Sequence, residues 1–321
     1  MSKTPAGLAI AVVAAFSFGT SGAFVKPMLE AGWSPAAGVT ARALVGGVIL
    51  LPIALLAVRG NWSGVWRARW RILAMGLIGV AGCQLMYFAA IARIPVSSAI
   101  LVEYLAPLLL VGFVWATTRR MPKVVVLIGS VVSVVGLAMV VSPGKGTSLD
   151  SLGLIFAGLA AIGCAIYYVI VGHPSDDLPP VALAAFGLLV GGTALGLVGL
   201  AGVVPFVATF DTVPVLGSPV PWWVPLALLG VIGTALAYFT SITASGMLGS
   251  RLASFAGLLE VVAAAAYAWV LLGEAMTVPQ LLGARSSWWA SPSFAAKRLS
   301  PTSCWSLAAI SSSPHRQSRP R

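Results

Sequence analysis

The sequence predicts an all-α polytopic membrane protein made of two inverted five-helix repeats, a ten-helix architecture whose last helix is interrupted by an unrelated C-terminal tail. Three observations predict it. Of 321 residues, 59% are hydrophobic and 8% charged, with a mean hydropathy of +0.99; a water-soluble globule carries about a quarter charged residues, so this chain has too little polar side chain to face water and belongs in a bilayer. Apolar runs of about 20 residues recur along it, long enough at roughly 1.5 Å per residue to cross a hydrocarbon core of about 30 Å. The chain also repeats itself: Leu44-Val45-Gly46-Gly47 returns as Leu189-Val190-Gly191-Gly192, Tyr87-Phe88 as Tyr238-Phe239, Glu103 as Glu260, and Met121-Pro122 as Val278-Pro279.

Taken in order, nine spans fall near 7–25, 36–58, 72–92, 96–117, 123–141, 151–171, 180–204, 222–244 and 252–273. Lys3 followed by an apolar run has the look of a leader, but cleavage would remove the first element of the first repeat, so span one is expected to be an uncleaved helix. Between spans two and three lie Arg59, Arg67, Arg69 and Arg71, interleaved with Trp62, Trp66 and Trp70, a mixture that suits the lipid headgroup level rather than nucleic-acid stacking. Arg119, Arg120 and Lys123 separate spans four and five. The opposite loops hold only Lys26, Arg93 and Lys145, offset by Glu30, Asp150 and Asp211. Basic loops stay inside, which puts the N-terminus in the cytoplasm.

Gly144-Lys145-Gly146-Thr147 echoes a phosphate-binding loop but lacks the spaced first glycine and a preceding soluble strand, so it reads as a plain loop. Asn61-Trp62-Ser63 fits a glycosylation sequon in a loop expected inside, an accidental match. His173, beside Pro174 and ahead of Asp176-Asp177, marks the joint after span six, a helix end rather than a metal ligand. Five spans per repeat is an odd number, so the second repeat enters the membrane from the side opposite to the first.

A tenth span should begin at Val278-Pro279-Gln280-Leu281-Leu282-Gly283. From Arg285 the text instead turns to Ser, Arg, Pro and Trp, with eleven serines in residues 285–321. Permitted codons for Arg285 to Phe294, read two bases later, spell Leu-Ile-Leu-Val-Gly-Val-Ala-Val-Val, and Trp288-Trp289-Ala290 forces the Val-Gly within it. A frameshift near Ala284 is therefore expected; a disordered extension is the alternative, since Ser, Pro and Arg richness is typical of one. The organisation is 1–145 for the first repeat, 146–284 for the second, incomplete one, and 285–321 for the basic tail.

The net charge of +11 invites a nucleic-acid partner, but six basic residues sit in that acid-free tail and the rest of the chain carries 13 basic and 8 acidic residues. Cytoplasmic loops explain that balance, and no nucleic acid is expected. Cys83, Cys164 and Cys304 show no metal or redox spacing, so neither metal nor cofactor is expected.

Two repeats of five short spans, a glutamate in the fourth span of each, Leu271-Leu272-Gly273-Glu274 ending span nine and Pro279-Gln280-Leu281-Leu282-Gly283 after it resemble the EamA family of the drug/metabolite transporter superfamily. The likeness covers residues 7 to 284. Where the family shows a Glu-Pro pair, this chain has Glu103-Tyr104-Leu105-Ala106-Pro107, and Glu260 is followed by Val261; Trp115-Ala116-Thr117-Thr118 stands where the first repeat would carry the Leu-Leu-Gly-Glu ending. The resemblance implies a proton-coupled or facilitated carrier of small metabolites or drugs in the cytoplasmic membrane, often an exporter. Self-association into a homodimer stays open.

Physics reaches part of the same place from the residues. A carboxylate near the bilayer centre costs several kcal/mol unless paired, hydrated or protonated. Glu103 lies roughly 10 Å and Glu260 roughly 12 Å into their spans, from opposite sides. Inverted-repeat carriers place substrate or coupling-ion sites there; the alternative is a protonated glutamate bonded to a neighbouring helix. Arg42, with Gly187 as its repeat counterpart, suits an anionic substrate group, charge cancellation against Glu103, or snorkelling to the interface. Tyr87 and Tyr238 could line the path, or pack and anchor. The 35 glycines read as close helix packing.

Chemistry on a substrate is not expected: an intramembrane enzyme needs a nucleophile with a base, or a metal pair, at depth, and no histidine falls at a span centre. The expected working cycle is alternating access. A channel, a structural subunit and an inactive truncated product are the alternatives.

Overall fold

The computed structural model describes residues 3–106, 108–109, 112, 115, 150–172, 178–215 and 217–274, without the side chains of 3, 4, 172 and 249–258. The expected fifth span, the Arg119-Arg120-Lys123 and Gly144–Thr147 loops, His173, the start of the tenth span and the tail lie outside these residues.

Helix α1 (Lys3–Glu30) ends on Gly32 at φ 99°, with Trp33 N–H bonding Met28 O and Gly32 N–H bonding Leu29 O, a Schellman stop that only glycine adopts without strain. Helix α2 (Pro35–Val58) starts as its sequence dictates, with Pro35 at the first helical position and Ser34 Oγ accepting from Ala37 N–H at 3.2 Å. The short α3 (Trp62–Arg67) follows, with the Trp62, Trp66 and Trp70 rings exposed and the Arg69 guanidinium over those of Trp66 and Trp70 at 5.0 and 5.5 Å.

The third span is a continuous apolar run, Arg69–Ile91, but not one regular helix: α4 (Arg69–Ala74) passes into a π-helical segment, Met75–Gly82, and then α5 (Cys83–Ile91). Helix α6 (Val96–Glu103) opens the span expected over 96–117. Its regular path breaks at Tyr104-Leu105, where Leu105 N–H reaches back three residues to Val102 O, and helical residues resume at Ala106. The cause is in the sequence: Pro107 has no N–H to offer the Glu103 carbonyl four residues earlier.

In the second half α7 (Ser151–Gly172) and α8 (Pro180–Leu200) are regular. Helix α8 stops at 200 instead of the expected 204 because Gly202, at φ 76°, closes another Schellman motif, with Val203 N–H on Val198 O and Gly202 N–H on Gly199 O. The next loop holds a feature with no helical periodicity to announce it, a two-stranded antiparallel hairpin of β1 (Val213–Val215) and β2 (Ser218–Val220), Val213 facing Val220. Helix α9 (Trp223–Gly230) then runs into a second π segment, Val231–Leu236, and α10 (Ala237–Leu272).

Although α10 is helically bonded over 36 residues, it packs as two legs. Phe18 stacks edge-on to Tyr238 at 5.0 Å, Ala11 packs on Ala244 and Gly7 on Leu248, so the first leg descends antiparallel to α1. Gly19 then meets Ala263, and Lys26 meets Glu274, so the second leg climbs parallel to α1. The two expected spans of this region are those two legs.

Helices α2 and α8 cross antiparallel at the centre. A Cβ on Gly47 would stand 2.8 Å from the Leu189 side chain, one on Gly192 3.1 Å from Leu44, and one on Gly196 3.1 Å from Thr40. Adding 145 to Leu44 and Gly47 turns the first contact into the second. Outward, Leu56, Leu197, Trp269 and Val270 expose apolar surface, as lipid contact requires. Among the described residues, six helices are long and apolar enough to cross a membrane, and the protein is a multi-pass, all-helical membrane protein with one short hairpin.

Candidate functional site: an acidic, tyrosine-lined cavity

The cavity opens beside the middle of α1, where Ala11, Ala14, Ala15 and Phe18 form one wall; small alanines leave the space that larger side chains would fill. Its volume is about 60 Å³, room for a handful of waters. Glu103 and Tyr104 enter from the break after α6, Glu260 from the second leg of α10, Gly79, Cys83 and Gln84 from the third span, and Cys164, Tyr167 and Tyr168 from α7. The α6 break therefore presents Glu103 and Tyr104 together.

Glu103 is 6% exposed, and Cys83 Sγ lies 3.5 Å from its Oε1 and 3.4 Å from the Ala160 carbonyl. Glu260 accepts a hydrogen bond from the Tyr104 hydroxyl, so the residue after one glutamate holds the other. Both acidic candidates thus meet at one cavity, from opposite halves of the chain.

Tyr238 also lines the cavity and is 2% exposed, its ring edge-on to Phe18 at 5.0 Å and to Tyr167 at 6.1 Å. Its repeat counterpart Tyr87 does not line it. Tyr87 belongs to the apolar core with Val25, Phe88, Ile91, Val96 and Ile100, which fills the bundle beyond the cavity.

Arg42 lies outside the cavity wall at 1% exposure, so it does not snorkel, and it makes no direct ion-pair contact with Glu103. Its guanidinium donates from Nε to Thr234 Oγ1 at 2.9 Å, from Nη1 to Gln84 Oε1 at 3.0 Å and from Nη2 to the Gly233 carbonyl at 3.0 Å, with the Phe88 ring 5.3 Å away. The charge is held by a π segment: Thr234 Oγ1 also donates to Leu229 O, and Gly233 O also accepts from Ser21 Oγ. Arg42 thus ties α2 of one half to the eighth span of the other.

The sequence reading missed Tyr104, Tyr167, Tyr168, Cys83, Gln84 and Thr234. For Tyr104 the signal was Pro107, and for Tyr167-Tyr168 it was a pair of polar-tipped rings in an apolar span. The two π segments carry no such signal, although such segments collect at functional sites.

At the far end of the bundle, the segment joining α1 and α2 is sealed to the loop after α8. Ser34 N–H bonds Val207 O, Val207 N–H bonds Ser34 Oγ, Trp33 Nε1 donates to Thr209 O, and Thr209 Oγ1 donates to Ala31 O.

The sequence profile of the EamA-like transporter family matches residues 5–142 and 151–286. A curated relative, the uncharacterized inner membrane transporter YicL of Salmonella typhimurium, is 26% identical over 172 residues, which cover 52% of this chain and 57% of the relative. The chain thus spans little more than half the length of that relative. One solved crystal structure superposes with a TM-score of 0.62 at 20% identity, covering 89% of this chain and 95% of that one, a likeness of fold.

Proposed function

The chain belongs to the EamA-like transporter family, and we propose that this membrane transporter is a secondary carrier, an exporter of small metabolites or drugs working by alternating access in the cytoplasmic membrane. The observation that carries the reading is the meeting of Glu103 and Glu260 at one cavity lined from both halves of the chain. Inverted-repeat carriers hold their substrate between two such halves near the midplane.

The exchange of contacts between Leu44–Gly192 and Gly47–Leu189 across antiparallel helices supports an inverted relation of the halves 1–145 and 146–284. In the proposed cycle the halves rock about the α2–α8 crossing. The apolar core around Phe88 and the Ser34–Val207 seal close one end while the cavity serves the other, and the next state reverses this. Glu103 and Glu260 take up and release protons as the site changes sides, coupling the flux to the proton gradient. Cys83 and Tyr104 hold the two carboxyl groups in place through the cycle. The N-terminus lies in the cytoplasm, and the frame change near Ala284 replaces the tenth helix by the tail.

Counterflow into proteoliposomes tests the carrier: saturable uptake of a labelled solute, accelerated by the same solute trapped inside, is expected. Flux that rises linearly with concentration and ignores the trapped solute would make the protein a channel. Resequencing across the Ala284 codon tests the frame.

A further inference from the structure

The geometry points to an organic cation as the substrate: an ammonium or comparable monovalent group carried on an apolar or aromatic body. The inference rests on the carrier reading above and adds to it the chemical class of the solute.

Charge comes first. Glu103 and Glu260 both face the cavity, and among the residues whose side chains are described no basic group lines it. Arg42, the natural receptor for a carboxylate or phosphate, already donates from Nε, Nη1 and Nη2 to Thr234, Gln84 and Gly233, one bond from each, and lies outside the wall. An anion entering here meets two carboxyl groups and no basic side chain on the wall, in a poorly hydrated space where like charges repel strongly. A cation meets one or two counter-charges.

The aromatic lining gives the same answer independently. Phe18, Tyr238, Tyr167 and Tyr168 form a row in which successive centroids stand 5.0, 6.1 and 5.4 Å apart, each pair tilted by 68–87°. All four rings line the cavity, and the electron-rich face of tyrosine or phenylalanine attracts a cation within about 6 Å. The four rings come from α1, α10 and α7, so the row bridges the two halves. Two polar tips are already engaged, since Tyr167 OH pairs with Ser241 Oγ at 3.4 Å and Tyr104 OH is spent on Glu260. Two carboxyl groups and an aromatic row suit a positive head with an apolar body.

The experiment compares three solutes of similar size in counterflow with the full-length protein: phenyltrimethylammonium, phenylalanine and benzenesulfonate. Each carries one ring and differs in charge. Saturable counterflow of phenyltrimethylammonium at a rate at least about tenfold above the other two is expected. Tyr238→Leu should lower that rate about tenfold, the scale of one lost cation–ring contact, with unchanged elution from size exclusion. Saturable flux of phenylalanine or benzenesulfonate with none of the cation overturns the inference and leaves the carrier standing. No saturable flux of any of the three overturns the cation class and counts against the carrier as well. Wild-type selectivity decides the matter even if the Tyr238 variant does not fold.

Discussion

Lys26 Nζ lies 2.5 Å from Glu274 Oε1, while Glu274 Oε2 accepts the N–H of Val96 at 3.0 Å. One carboxylate, in the Leu-Leu-Gly-Glu run that ends span nine, thereby joins α1 to the first turn of α6 at the end of the bundle beyond the cavity. A carboxylate is well placed at a helix N-terminus, whose first N–H groups have no partner within the helix.

If this ion pair fastens that end, Lys26→Met and Glu274→Gln will each lower the thermal midpoint in detergent, and the double variant will lose less than the two together. A coupling of roughly 0.5–3 kcal/mol is expected for contacting residues. Additive losses in the cycle would mean that the pair holds nothing.

Arg42→Ala will strip partners from Gln84, Thr234 and the Gly233 carbonyl inside the bundle, at a cost of about 2–4 kcal/mol. Arg42→Lys should recover only part of it, because one ammonium cannot reach three acceptors on two helices. Thermal denaturation of both variants checks the order; full rescue by lysine would show that charge alone matters there.

A methyl group on Gly191 would stand 2.4 Å from the Gly76 carbonyl and 2.9 Å from Val80, whereas one on Gly158 meets nothing within 4 Å. Gly191→Ala should therefore destabilise by about 1–3 kcal/mol through overpacking. Gly158→Ala should gain about 0.5–1 kcal/mol from lost backbone freedom in the unfolded chain. Equal effects of the two would show that the α8 contact is loose.

Glu103→Gln keeps the shape of the side chain but removes its exchangeable acid. In proteoliposomes its flux should fall on the order of tenfold, the equivalent of about 1.4 kcal/mol, and the residual flux should lose its response to external pH. Unchanged flux and unchanged pH response would take the coupling role from this residue.

Outside the membrane spans, the Arg93 Nη1 hydrogen bond at 2.9 Å, with help from the Leu152 N–H, holds the Asp150 carboxyl below the usual carboxylate range. A depressed folded-state value means that its stabilisation of the α7 start is present above the unfolded value near about 3.9 and is lost as pH falls through the folded one. Arg93→Gln should move the Asp150 titration upward in a carboxyl carbon NMR experiment. An unmoved titration would assign the effect to the helix start alone.

Much of the fold was legible because the bilayer imposes it. Apolar length marked the spans at 36–58, 151–171 and 222–244 near to where the helices run, and Leu44–Gly47 with Leu189–Gly192 marked the two helices that cross at the centre. The break after Glu103 and the stop at Gly202 had residues in the text to explain them, a proline four positions on and a glycine, though the expected spans run through both. The candidate site was half legible. Isolated carboxyl groups in apolar runs stand out by their cost, and Glu103 and Glu260 do meet; Tyr238 lines the cavity, but Tyr87, its twin by spacing, is core.

The sequence by itself determined that this chain lives in a membrane, where its helices run and that it repeats, because burying backbone in hydrocarbon leaves helices as the economical solution and makes every intramembrane charge conspicuous. Only the tertiary structure decided what those charges face. Arg42 is bonded to Thr234, Gln84 and the Gly233 carbonyl outside the cavity wall, and the rings of Phe18, Tyr238, Tyr167 and Tyr168 fall into one row. Side-chain partners hundreds of positions apart are set by the π segments, by the two legs of α10 and by the close glycine crossings, and these depend on how helices pack against one another, which local sequence does not encode.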